Sequence, residues 1–193
     1  MDAARRELLE RLYRDSREHD AAQEDRLQRF RNVEPESAAL LAVLIRATRA
    51  RRLLEIGTSN GYSTIWLADA AEATGGELVS VDVDAERTAL ARANLERAGL
   101  TADLRTEDAA TTLGQAADAA HDFVFLDAER PAYVSYWPEL VRTLAPNGLL
   151  AVDNVLSHGD QLVEFTALVE ADSRVTTTVV PIGAGLRLIV REP

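Results

Sequence analysis

The sequence predicts an α/β domain: a seven-stranded, mostly parallel sheet with helices on both faces, a C-terminal antiparallel hairpin at one edge and a helical N-terminal extension. Three observations predict it. After residue 51, short apolar runs alternate five times with helix-length stretches, the rhythm of β-α units joined by right-handed crossovers. That rhythm then breaks into two β-branched runs joined by a turn rich in Pro and Gly. Before it, residues 1–50 carry leucines and aromatics at helical spacing among Arg and Glu.

Taken in order, Leu8, Leu9, Leu12 and Tyr13, then Leu27 and Phe30, predict one or two amphipathic helices over residues 1–32, packed on the domain or on a second subunit. An apolar helix follows Pro35, over Ala38 to Ile45. The strands are expected at Leu53–Ile56, Leu78–Val81, Leu104–Thr106, Phe123–Leu126 and Leu149–Val152, with helices at Ala85–Ala98, Tyr133–Leu144 and Gln161–Ala171. Val175–Val180 and Leu186–Val190, joined through Pro181 to Gly185, form the hairpin. The layout is Rossmann-like. Its 193 residues fit one domain, with 1–50 as helices and 51–193 as the core.

Composition excludes several chemistries. The net charge of −11 repels a phosphate backbone, and no basic stripe interleaved with aromatics offsets it, so nucleic acid is not an expected partner. No apolar run approaches the ~20 residues of a membrane span, and the charged first residues lack the apolar centre of an export signal; the expected location is cytoplasmic. The chain has no cysteine, and all 21 of its basic residues are arginine. Thiolate nucleophiles, thiolate metal sites, Schiff bases and a lysine general base are therefore unavailable.

In open α/β sheets ligands bind beyond the carboxyl ends of the strands. The first strand runs into Glu55-Ile56-Gly57-Thr58-Ser59-Asn60-Gly61-Tyr62-Ser63, whose glycines permit a tight turn and close approach to a ligand. The second ends at Asp82, 25 positions after Gly57, where a carboxylate accepts bonds from ribose hydroxyls. Together they imply a nucleoside-bearing cofactor. The Gly-x-x-x-Gly spacing, with Glu55 ahead of it, fits S-adenosylmethionine better than the pyrophosphate read by G-x-G-x-x-G; the alternative is a tight turn beside an idle strand-end aspartate. The fourth strand ends at Asp127 and the fifth at Asp153-Asn154. Two carboxylates and an amide suit Mg²⁺, or else Mn²⁺ or Ca²⁺; the alternative is that Asp153 and Asn154 only shape the following turn.

These segments, with Glu107-Asp108-Ala109, Asp127-Ala128-Glu129-Arg130 and Asp153-Asn154 in order, resemble the cation-dependent O-methyltransferases, the family of catechol and caffeoyl-CoA O-methyltransferases and their small bacterial relatives. The resemblance spans residues 33–190. It implies that Glu55, Gly57 and Ser63 hold the amino-acid end of S-adenosylmethionine, Asp82 the ribose, and Asp108 with the Ala109 backbone the adenine, with Ser59, Gly61 and Asp127 completing the surround. It assigns Asp127, Asp153 and Asn154 to the divalent metal. The acceptor it implies is a small hydroxylated molecule, aromatic or catechol-like, and the assembly a homodimer.

One departure stands out. Arg130 occupies the place of the family's proton-accepting lysine and cannot take a proton. It is left to fix the developing phenolate by charge, with deprotonation falling to the metal and water or to His158. His121 and His19 lie away from the expected site. Tyr133, Tyr136 and Trp137 share a helix face and are expected in the core, Tyr133 close enough to border an acceptor. Two other readings stay open: an NAD-dependent oxidoreductase on the same fold class, disfavoured by the glycine spacing and the absence of lysine, and a cofactor-binding module without turnover.

Overall fold

The computed structural model describes Met1 to Pro193. Its strands are β1 (Arg52–Ile56), β2 (Glu77–Asp82), β3 (Asp103–Thr106), β4 (His121–Leu126), β5 (Leu144–Val152), β6 (Val175–Val180) and β7 (Leu186–Arg191), in the sheet order β3-β2-β1-β4-β5-β7-β6. The first five are parallel, and β7 runs antiparallel between β5 and β6. The helices are α1 (Ala3–Ala22), α2 (Pro35–Thr48), α3 (Tyr62–Thr74), α4 (Ala85–Ala98), α5 (Ala109–Gln115), α6 (Tyr133–Thr143) and α7 (Val163–Ala171).

Alternation along the strands builds two cores. Leu53, Phe123, Phe125, Leu149 and Ala151 point into one layer with Leu41 and Ile45 of α2 and Ile65 of α3. Leu54, Val124, Leu126, Leu150 and Val152 point into the other, with Leu113 of α5, Trp137 and Leu140 of α6 and Phe165 of α7. Burial on both faces explains why these strands read as continuous apolar runs. α4 begins where the Asp84 carboxylate accepts the Glu86 and Arg87 N–H groups, and it ends at the left-handed Gly99.

Of the one or two N-terminal helices expected, one forms. A single helix, α1, spans 20 residues. Leu27 and Phe30 belong to no second amphipathic helix; they lie in a strap, residues 23–34, with one 3₁₀ turn at Arg26–Gln28. Leu8 and Leu9 are buried in this chain's own core, so α1 is accommodated without a second subunit. No helix is long and apolar enough to cross a membrane.

Candidate active site

Sheet pairing itself assembles the site. Backbone bonds continue past the last paired residues: Asp153 N donates to Leu126 O, Asp127 N to Ile56 O, Gly57 N to Val81 O and Glu107 N to Asp82 O, at 2.9–3.2 Å. The polar residues at the carboxyl ends of five parallel strands are thereby set in one row. Above that row lies a cleft of about 760 Å³, within the range of small-molecule sites. Ten of the sequence-predicted residues line it: Gly57, Ser59, Ser63, Asp82, Asp108, Ala109, Asp127, Arg130, Asn154 and His158. Glu55 and Asp153 are buried just behind that lining, and Gly61 is turned away.

The β1–α3 loop turns as expected, and its glycines also leave room for protein neighbours. Gly57 (φ 107°) passes so close to β4 that an added Cβ would stand 2.2 Å from the Asp127 carbonyl oxygen, and at Gly61 (φ 85°) it would stand 2.9 Å from Ala91 of α4. Both are small because protein backbone or side chain approaches them. Glu55 is fully buried; its Oε2 accepts from the Thr64 and Ser80 hydroxyls at 2.6 Å each, and its Oε1 has no partner. Burial pushes its pKa up to about 7 against the Ser63, Ser80 and Thr64 hydroxyls, which favour the anion. An ammonium delivered past Ser63 would complete this carboxylate, as the amino-acid end of S-adenosylmethionine requires.

Asp82 is held in place by two backbone donors, Ser59 N–H at 2.8 Å and Asp84 N–H at 3.0 Å. Each oxygen keeps a further lone pair for a diol. The Ser59 hydroxyl donates to the Phe30 carbonyl, so Ser59 orders the cleft wall and secures the strap. At the far end Asp108 caps α5 by accepting from Ala110 N–H, and it takes the Tyr136 hydroxyl at 3.3 Å. Tyr136 is the aromatic of α6 that faces the cleft. Tyr133, expected to border the acceptor, is buried with its hydroxyl on the Ala128 backbone, and it packs with Trp137 against Phe165.

The remaining wall is less settled electrostatically. Asn154, in the left-handed region at φ 65°, donates through Nδ2 to Asp127 Oδ1 at 3.0 Å and to Asp153 Oδ2 at 3.1 Å. Asp153 Oδ1 is buried without a partner. Burial pushes both carboxyl groups up; the Asp127 charge raises Asp153 further, while Arg31, the Asn154 amide and Arg130 draw Asp127 part of the way back toward the anion. No group of three or more His, Asp or Glu suited to a metal occurs, so a cation here would rest on two carboxylates and the Asn154 amide oxygen. Two hard carboxylates with an unmet oxygen between them fit a hard cation; the amide would then present oxygen where it now presents nitrogen.

Arg130 opens the 3₁₀ turn after β4 and is 6% exposed. Its Nε donates to Gln161 Oε1 at 2.8 Å. His158 stands on the same wall, its Nδ1 against the Ser157 hydroxyl, with its pKa lowered by burial and by Arg130. His121, at the start of β4, and His19, stacked on Phe30, lie outside the cleft.

The sequence reading missed the strap that roofs this cleft. Asp20 accepts the Phe30 and Arg31 N–H groups, Arg26 and Arg31 both pair with Glu129, and Arg87 donates to the Leu27 and Arg29 carbonyls. The only local signal was the density of arginine between residues 26 and 31.

Over residues 3–192 the chain matches the family described as O-methyltransferase. It is 33% identical over 165 residues to a catechol O-methyltransferase of Niastella koreensis, across 77% of this chain and 74% of that protein. In structure it is similar to the O-methyltransferase of Bacillus cereus in complex with SAH, with a TM-score of 0.80 at 27% identity, covering 96% of this chain and 91% of that one. TomG, the O-methyltransferase of tomaymycin synthesis from Streptomyces achromogenes, in complex with SAM, gives 0.79 at 27% identity, with 100% and 91% covered.

Proposed function

From the premise that this chain belongs to the O-methyltransferase family, and is an S-adenosylmethionine-dependent enzyme of it, we propose that it methylates a vicinal diol on a small, catechol-like acceptor with help from a divalent cation. One observation carries this reading: the row of strand ends sets Ser63 and Asp127 on the wall of one cleft, with the unmet oxygens of Glu55 and Asp153 buried behind them. An ammonium is wanted at one end and a hard cation at the other. Family membership also disposes of the dehydrogenase alternative.

The division of labour among this chain's residues follows. Glu55 and Ser63 hold the donor's amino-acid end, Asp82 its ribose, and Asp108, Ala109 and Tyr136 its adenine. Those contacts would orient the donor before the acceptor binds. Asp127, Asp153 and Asn154 would hold Mg²⁺, Mn²⁺ or Ca²⁺, which when bound acts as a Lewis acid that lowers the pKa of an acceptor hydroxyl. Arg130 presents a permanent positive charge to the oxygen that develops negative charge. His158, neutral at physiological pH because its pKa is lowered, is the nearest imidazole able to take up a proton. A homodimer working in the cytoplasm on a small molecule completes the reading; size-exclusion chromatography tests the assembly.

The decisive experiment is calorimetry of the protein saturated with S-adenosylhomocysteine, titrated with Mg²⁺ and compared with Asp153→Ala, followed by transfer of labelled methyl to catechol. A magnesium heat lost in the variant and methylated catechol as product are expected. Cofactor binding without a cation signal would sink the metal, and binding without transfer to any diol would leave a cofactor-binding module without turnover.

A further inference from the structure

Arg130 is 94% buried by the measure of its 6% exposure, yet no carboxylate lies within ion-pair distance of it. The acid next to it, Glu129, is committed to Arg26 and Arg31 on the strap, at 2.9 and 2.5 Å. Asp127 accepts from Asn154 instead. The Nε of Arg130 is fixed by Gln161, and its two terminal nitrogens make no hydrogen bond within the protein. Those nitrogens are not sealed off, and the residue lines the cleft beside Asp127, Asn154 and His158. Asp127 feels Arg130 only as a nearby charge, so the guanidinium is buried without a carboxylate in contact, and an anion brought in from outside would complete it.

We propose that Arg130 makes this enzyme selective for acceptors whose reacting hydroxyl is acidic enough to bind as an oxyanion, with the guanidinium as its receptor. The inference rests on the methyl-transfer reading above. An arginine cannot serve as a base, so Arg130 can collect only an oxygen that has already lost its proton. A phenol with a pKa of about 10 is about 0.1% ionised at neutral pH, and a nearby positive charge moves that equilibrium by about one to three pH units. That shift ionises almost completely a phenol or enol acidified by a conjugated carbonyl or nitro group and leaves an ordinary phenol at most about half ionised. The transfer then balances with no base acting in the step itself. The proton leaves before the step, to His158 or to water; the anionic oxygen forms its bond to the methyl carbon as the carbon–sulfur bond breaks; sulfonium and oxyanion become neutral thioether and ether.

The probe is 4-nitrocatechol, whose ionisation is visible in its absorbance, titrated over pH into the protein saturated with S-adenosylhomocysteine, once with Mg²⁺ and once with EDTA. In the unaltered protein the bound chromophore is expected to ionise about one to three pH units below the free compound. Arg130→Met should abolish the part of that displacement that persists in EDTA, and Arg130→Lys should keep most of it at pH below 8, while S-adenosylhomocysteine affinity, which reports the fold, stays the same in both. Equal midpoints in the unaltered protein and Arg130→Met would overturn the proposal, as would absence of binding in both conditions. So would a second arm in which Arg130→Met weakens only 3,4-dihydroxybenzoate, because the guanidinium would then read an appended carboxylate. No turnover is needed for any of these readouts. Failure of the methyltransferase reading shows separately, as no affinity for S-adenosylhomocysteine or no ether product with any acceptor.

Discussion

The ends of β1 and β2 and the ends of β4 and β5 lie in one hydrogen-bonded row, yet they are finished in opposite ways. On the first pair, Asp82 is held by two backbone N–H groups and Glu55 by two hydroxyls, leaving one oxygen unmet. On the second, Asp127 and Asp153 face each other across a single amide, Asn154 holds a left-handed backbone, and no carboxylate contacts Arg130. The half proposed to hold the donor is nearly complete as folded. The acceptor half stores unpaired charge of both signs, and such groups persist where a ligand completes them.

The largest effect that would break this contrast is expected at Asp153. Asp153→Ala should lower magnesium-supported methyl transfer at least about 100-fold, since loss of a Lewis acid is worth several kcal/mol, while S-adenosylhomocysteine affinity stays within a few-fold. Initial rates and calorimetry on the same preparation separate the two halves. Glu55→Gln should do the reverse. Removing a charge-assisted bond to the donor's ammonium weakens S-adenosylhomocysteine about 10- to 100-fold and leaves the magnesium heat in place.

The same substitution sharpens the contrast through pH. A buried carboxyl raised to about 7 stabilises the fold while protonated, so its contribution is complete below the unfolded value near 4 and is lost as pH rises through about 7. The ligand-free protein should therefore lose up to about 3 kcal/mol between about pH 5 and pH 8 from this group, whereas Glu55→Gln should not. Thermal melts at the two pH values check it. Gly57→Ala should cost more than about 1 kcal/mol, because the new Cβ meets the Asp127 carbonyl and the residue holds a positive φ; it should weaken both halves together, read as a lower melting temperature and lower affinity at each. Smallest is Glu129→Gln, which removes two half-exposed ion pairs and should change stability by no more than about 1 kcal/mol, while hydrogen exchange in residues 26–31 rises.

What the sequence made legible follows from how far each signal reaches. α4, β6 and the strand ends were readable because alternation, the Asp84 cap and the left-handed Gly99 are local. The glycines were readable as turns, but the sequence could not show that the Asp127 carbonyl and Ala91 also press on them. Tyr133, Tyr136 and Trp137 share a helix face by spacing, and only the tilt of α6 decides that Tyr136 meets the cleft while the others meet Phe165. The strap has no periodicity at all. Arg26 and Arg31 find Glu129 from 103 and 98 residues away, a pairing that no local pattern announces.

The place of β7 between β5 and β6 bears on how the enzyme is made. During synthesis, the strands and loops of the donor half emerge within the first 126 residues and can pair among themselves. The free edge of β5 must wait until Leu186–Arg191 is available, and β6 waits with it. The turn after Asp153-Asn154 waits too, since the Val155 and Leu156 N–H groups are held by the carbonyls of Gly185 and Ala184. A ribosome-bound chain therefore carries an open, apolar sheet edge and an unformed acceptor wall until its last strand slides in, which makes that interval the one in which a chaperone matters most.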